Sequence, residues 1–128
     1  MTGYSYGIDG SFCTRAGVCL VGAISINADI VVTLPLLTTL AQVSPDIRRL
    51  WERFAESVRI HEERHVTILQ DALTEMRRQL LMIPEQPTCD ALDHEIDKVW
   101  LLHTSQMEQR QRAFHAADAA GQGGSVVR

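Results

Sequence analysis

The longest uninterrupted pattern in the chain is helical, and it limits the folds that the chain can adopt. Ser44 can cap a helix, Pro45 fits the first helical position, and Asp46 suits the positive end of the helix dipole. From there apolar residues recur at steps of three and four, which marks one face of an α-helix that runs until Pro84. That face consists of Ile47, Leu50, Trp51, Phe54, Val58, Ile68, Leu69, Ala72, Met76 and Leu80.

A second helical pattern follows a short connection, the segment PEQPT at residues 84–88. Thr88 or Asp90 can cap this helix, and Asp90 and Asp93 place acidic side chains in its first turn. Its apolar face consists of Leu92, Ile96, Val99, Trp100, His103, Met107 and Phe114. Because the connection is tight, the two helices should pack as an antiparallel hairpin.

The residues before the helices carry a different periodicity. Residues 1–17 are rich in glycine, serine and tyrosine and predict a short strand or a loop. From Val18 to Leu34 apolar residues occupy most even positions, which is the period-two pattern of a half-buried strand. That run is longer than a usual strand, so we expect a bend or bulge near Gly22 and an end at Pro35.

Together these patterns predict a single α+β domain. A small antiparallel sheet, built from one or two N-terminal strands, is expected to pack on the long helical hairpin. The predicted domain spans residues 1–120, and the glycine-rich composition of residues 121–128 predicts a flexible tail.

The segment HEERH, residues 61–65, interrupts the apolar face of the first helix with two histidines. His61 and His65 stand four residues apart, so both rings lie on one face and can reach one Zn²⁺ at about 2.0–2.1 Å. Glu62 lies roughly 100° round the helix, where its carboxylate can accept a proton from a water on the metal. The alternative is a chance string on a solvated turn. Position favours the metal site, because buried imidazoles need partners.

The residues alone leave the third ligand open. The contiguous metzincin extension requires glycine and histidine where this chain has Ile68 and Asp71, so that class is excluded. A hairpin that turns near residues 83–88 brings residues 103–110 opposite the histidine pair. The candidates on the second helix are His103, for which a hydrogen-bonded core histidine is the alternative, then His115 and Asp118.

Charge and composition argue against several classes of function. The formal net charge is −4, and the arginines are interspersed with acids, so we expect no nucleic-acid partner. Polar residues and a proline interrupt the least polar stretch, residues 16–45, which predicts no membrane span. Residues 1–12 do not resemble a secretory signal, which fits either a cytoplasmic protein or a chain that begins after its signal. Of three cysteines at least one must stay unpaired within the chain.

Four blocks in fixed order resemble a bacterial domain-of-unknown-function family described as predicted secreted zinc-dependent proteases. They are a cysteine-led strand that ends in Leu-Pro, a tryptophan-containing helix that runs into HExxH, a Thr-Cys helix start, and a C-terminal block. In this chain they read VCLVGAISINADIVVTLP, SPDIRRLWERFAESVRIHEERHVTI, PTCDAL and RQRAFHAADAAGQGG. The resemblance covers residues 18 to about 124.

The resemblance implies a zinc site and an oxidising compartment. His61 and His65 match the zinc ligands and Glu62 the catalytic base, while Cys19 and Cys89 match a candidate disulfide. A secreted or periplasmic location follows from the same resemblance. The family's terminal histidine, a candidate third ligand, is replaced here by alanine, and His115 or Asp118 is expected to take that role.

The sequence therefore predicts a zincin-like metallopeptidase that hydrolyses peptide bonds in a peptide or protein substrate. Glu62 activates a zinc-bound water, and His61, His65 and a C-terminal side chain hold the Zn²⁺. The competing hypothesis is a non-catalytic accessory module, a degenerate relative that binds a metal or a partner. An exposed strand edge could also join copies of the chain into a homo-oligomer.

Overall fold

The structure is a computed structural model, and it describes residues 1–123. The elements, in chain order, are strands β1 (Thr2–Arg15) and β2 (Val18–Val32), a short 3₁₀ turn (Leu40–Gln42), and helices α1 (Pro45–Leu81) and α2 (Cys89–Gly123). The strands form one two-stranded antiparallel sheet, so the predicted α+β class is confirmed. The predicted tail overlaps the end of α2, and its residues 124–128 lie outside the described residues.

A two-residue turn joins the strands. Ala16 and Gly17 both have positive φ, 53° and 79°, as a type I′ hairpin turn requires. Glycine adopts this backbone region without steric cost, whereas alanine occupies it with some strain. The turn sets the register in which Arg15 pairs with Val18.

The expected irregularity near Gly22 is a β-bulge. Ser11 pairs with Ala23 and Phe12 pairs with Val21, which leaves Gly22 as the extra residue of β2. Because a bulge shifts the alternation of side chains by one, the residues of β2 that pack on the helices change from odd numbers before the bulge to even numbers after it. The core accordingly takes Ile24, Ile26 and Ile30 after the bulge but Cys19 and Val21 before it.

Both helices begin at hydroxyl caps. The Ser44 Oγ accepts a hydrogen bond from the Ile47 N–H at 3.3 Å, and the Thr88 Oγ1 accepts one from the Ala91 N–H at 3.0 Å. Thr88 is therefore the cap of α2, rather than Asp90, the other predicted candidate.

The core lies between the inner face of the sheet and the two helices. Its buried apolar side chains are Cys19, Ile24, Leu69, Ala72, Leu73, Met76, Leu80, Leu92, Ile96 and Met107. A disulfide joins Cys19 of β2 to Cys89 at the start of α2, and the backbones of Cys19 and Gln86 exchange two hydrogen bonds of 2.8 Å beside it. The sheet is thereby fixed to the connection between the helices.

The apolar face of α1 is buried only along part of its length. Ile47 is 52% exposed and Leu50 is 63% exposed, whereas the buried residues of α1 begin at His61. The predicted face is therefore a core face over the later turns of α1 and a solvent face over the first ones. Neither described helix has a long enough apolar stretch to cross a bilayer.

Candidate metal centre

The two histidines of the HEERH segment face each other across one turn of α1. His61 is buried and His65 is half-buried, and their Nε2 atoms lie 3.1 Å apart. Two nitrogens that bind one tetrahedral zinc at about 2.0–2.1 Å are separated by about 3.3 Å. The observed separation is therefore close to the one that a shared metal ion requires.

Contacts at the opposite nitrogen of each ring determine which nitrogens can bind a metal. His65 Nδ1 lies 2.6 Å from the Gln111 Oε1, and His61 Nδ1 contacts the Asp118 carboxylate. The Gln111 Nε2 donates to the His65 carbonyl oxygen at 2.8 Å, which fixes its amide with the oxygen toward the ring. Both Nδ1 atoms must then donate, so each Nε2 presents a lone pair.

Two lone pairs that face each other at 3.1 Å repel unless a cation lies between them. A proton on one Nε2 could supply this cation, and so could a metal ion. Imidazoles held by a carboxylate or an amide oxygen on the far nitrogen are the usual arrangement of histidine metal ligands. The donor set of this structure therefore fits a metal ion.

His115 of α2 is the third histidine at this position. Its ring centroid lies 5.3 Å from that of His61 and 5.8 Å from that of His65. One nitrogen from each of the three rings can be chosen so that all lie within 4.8 Å of one another. His115 is exposed, so small rotations of its side chain are open to it.

The other two candidates for the third metal ligand, Asp118 and His103, do not lie beside the facing Nε2 atoms. Asp118 contacts the far nitrogen of His61, so it supports that ring rather than joining the facing nitrogens. His103 lies near Glu75 of α1. It faces a part of α1 more than two turns away from His65.

An aromatic side chain closes one side of the histidine pair. The Phe114 ring stacks on His61 with centroids 4.9 Å apart and meets His65 edge-on at 5.0 Å. This packing restricts both imidazoles and keeps water away from that side, which strengthens electrostatic interactions at the facing nitrogens.

Glu62 is buried, and its carboxylate is bound on both oxygens. The Thr2 hydroxyl donates to Oε2, and the Met1 ammonium lies 3.0 Å from Oε1. Burial raises the pKa of this carboxyl, but the hydrogen bonds and charge of Thr2 and Met1 outweigh it and bring the pKa below its ordinary value. The carboxylate is therefore ionised at neutral pH.

An open cleft of about 470 Å³ brings these groups to the surface. It lies between the start of β1 and α2, and Glu62, His65 and His115 all line it. The remaining lining residues are Met1, Thr2, Tyr4, Gln111, Arg112 and Ala116. The cleft gives a ligand of several atoms access to the candidate metal centre and to a carboxylate base.

Three residues that contribute to the site were not predicted from the sequence. Gln111 is a buried polar residue on α2, four residues after the buried Met107 and four before His115, and that position was the available signal. Thr2 and Tyr4 were missed because residues 1–17 predicted only a short strand or a loop, with no position relative to α1.

Comparison with known protein families assigns the chain to one of them. A family model described as "Bacterial protein of unknown function (DUF922)" matches residues 1–123, which is all of the described chain. The chain therefore belongs to this family. No curated protein and no solved structure matches it.

Proposed function

We propose that this member of the DUF922 family is a zinc-dependent metallopeptidase of the zincin type. The observation that carries the proposal is the approach of the His61 and His65 Nε2 atoms to 3.1 Å while both Nδ1 atoms face oxygen acceptors. His61 and His65 would hold the ion together with His115, and His65 and His115 also line the open cleft.

A zinc ion in this position supplies Lewis acidity that lowers the pKa of a bound water to about 7. Glu62 would be the base that takes a proton from the attacking water and then gives it to the leaving amine. The Glu62 carboxylate is ionised at neutral pH, as a base must be, although its lowered pKa makes it a weaker base than an ordinary glutamate. Phe114 limits competing water on the far side of the rings.

A secreted or periplasmic setting is part of the proposal. The disulfide between Cys19 and Cys89 supports it, because such bonds persist mainly in oxidising compartments.

The first experiment measures bound metal. Protein purified without chelators and analysed by mass spectrometry should contain one zinc per chain. His61→Ala and His65→Ala should lose it, whereas His94→Ala, which changes an exposed histidine on α2, should retain it. Wild-type protein that neither contains zinc nor takes it up would refute the metal centre.

The second experiment separates catalysis from metal binding. Glu62→Gln keeps the shape of the side chain but removes the base, so it should retain zinc and lose hydrolysis of a peptide library. Glu85→Gln, an exposed glutamate in the connection between the helices, is the matched control and should retain both.

A second function, metal binding without hydrolysis, is favoured by one observation. The Thr2 hydroxyl already donates a hydrogen bond to the Glu62 carboxylate, which competes with a role as base. If wild type and Glu62→Gln bind zinc equally and neither cleaves any peptide, this second function replaces the first.

A further inference from the structure

Two cavities lie beside the candidate metal centre, and Arg112 lines both of them. The first is the cleft that contains Glu62, His65 and His115. The second has a volume of about 320 Å³ and is lined by Tyr6, Thr104, Ser105, Glu108, Gln109 and Arg112. Tyr4 lines the first cavity and Tyr6 the second, and the two follow each other on one face of β1. The two cavities are therefore neighbours between β1 and α2, and together they are called the groove.

The charge of Arg112 is available to a ligand. Arg49, Arg59 and Arg78 each pair with a carboxylate about one helical turn away. Arg112 is exposed and takes part in no such pair within the described residues.

The carboxylate one turn before Arg112 is engaged elsewhere. Glu108 accepts hydrogen bonds from the Tyr4 hydroxyl at 3.1 Å and the Tyr6 hydroxyl at 3.2 Å. These two phenols hold Glu108 against the sheet, and Arg112, which lines both cavities, forms no ion pair within residues 1–123.

We infer that Arg112 determines specificity by binding a carboxylate of the substrate, an inference that rests on the proposed peptidase function. The planar guanidinium can donate two parallel hydrogen bonds to a carboxylate, which gives both strength and orientation. The groove continues beyond Arg112 to Tyr6 and Thr104, so a peptide chain need not end there. The expected carboxylate therefore belongs to an aspartate or glutamate side chain.

The position of Arg112 limits how far this acidic residue of the substrate can be from the cleaved bond. Arg112 precedes His115 by three residues, which is a rise of about 4.5 Å along α2. An extended peptide advances about 3.3 Å per residue. The acidic residue should therefore lie within about three residues of the bond that is cleaved.

The test compares peptides that differ only by glutamate or glutamine at one position, each with a free and an amidated C-terminus. Cleavage by the wild-type protein gives kcat/KM, and fluorescence anisotropy gives binding to zinc-loaded Glu62→Gln protein, which does not depend on turnover. Glutamate should be preferred at one position by about tenfold or more. Arg112→Ala should abolish this preference and Arg112→Glu should reverse it, while Arg110→Ala, an exposed arginine on the same helix, should leave it unchanged.

Each result decides the inference. It is overturned if glutamate and glutamine peptides behave alike, if Arg112→Ala keeps the preference, or if Arg112→Ala lowers kcat equally for both peptides. If glutamate and glutamine peptides bind alike and amidation weakens both, the side-chain assignment is overturned and the terminal carboxylate is the ligand. If nothing is cleaved but glutamate peptides still bind through Arg112, the peptidase proposal fails and the carboxylate site stands.

Discussion

Gln111 holds both the backbone and the ring of His65. Its Nε2 donates to the His65 carbonyl oxygen at 2.8 Å, and its Oε1 accepts from the His65 Nδ1 at 2.6 Å. Gln111 is only 5% exposed, so water competes little with either bond. One amide therefore sets the position, the rotation and the tautomer of this imidazole.

Replacement of Gln111 should weaken metal binding although no ligand is lost. Gln111→Ala frees the His65 ring and its tautomer, so the zinc affinity should fall by about 10–100-fold, as it does for other partners of metal-bound histidines. Gln111→Glu should lose less, because a carboxylate still accepts from Nδ1. Competition with a chromophoric chelator measures the affinity, and Gln106→Ala, on an exposed position of α2, is the control. An unchanged affinity in Gln111→Ala would contradict this role.

Asp118 should behave as a support of His61 and not as a ligand. Asp118→Ala removes the acceptor of the His61 Nδ1–H, so the affinity should fall by about 10–100-fold while the coordinating atoms stay the same. In the cobalt-substituted protein the visible absorption spectrum should keep its shape in Asp118→Ala and change in His115→Ala. A similar spectral change in both variants would make Asp118 a ligand.

The parts of the site within one helix could be predicted from spacing, but the part between helices could not. His61, Glu62 and His65 come together because residues four apart on a helix share a face. Which residues of α2 lie opposite the two histidines depends on the axial offset between the two antiparallel helices. A symmetric turn predicts residues 103–110 opposite the pair, whereas Gln111 and Asp118 lie there.

The connection between the helices explains this shift. Gln86 pairs with Cys19 of β2, so the connection is held against the sheet. The start of α2 is thereby displaced along the helix axis relative to the end of α1. Such a displacement depends on a contact between distant parts of the chain, which a local pattern does not contain. The full length of β1 was missed for a similar reason. Glycines and serines interrupt its alternation of apolar and polar residues, and the strand is defined by its pairing with β2.

The bulge at Gly22 should not tolerate a side chain. A Cβ at this position would lie 2.9 Å from the Ser11 Oγ, 3.0 Å from the Ser11 carbonyl oxygen and 3.0 Å from the Cys13 Sγ. Gly22→Ala should therefore lower the free energy of unfolding by about 1–3 kcal/mol, the usual cost of overpacking. Gly7→Ala is the matched control, because a Cβ there meets no atom within 4 Å. Urea denaturation compares the two, and equal midpoints would show that the bulge can adjust.

Loss of the disulfide should destabilise the fold more than loss of the free thiol. The bond between Cys19 and Cys89 spans 70 residues of sequence, so it removes much of the freedom of the unfolded chain. Cys89→Ser should lower the free energy of unfolding by about 2–4 kcal/mol. Cys13→Ser, which replaces the exposed free cysteine, should change it little. Denaturation without reductant tests this, and equal stability of the two variants would contradict it.

Stability should fall in alkaline solution through the tyrosines that bind Glu108. Burial, then the charge and hydrogen bond of Glu108, raise the pKa of Tyr4 from 10.0 to about 12, and the same causes raise the pKa of Tyr6. The folded state thus keeps phenol protons that the unfolded chain loses, so the stabilisation present below pH 10 is lost as the pH rises toward 12. Urea denaturation between pH 8 and pH 12 should show this decline, and Tyr4→Phe should make it less steep, since Tyr6 alone remains. Parallel profiles for wild type and Tyr4→Phe would show that Tyr4 is not the group responsible.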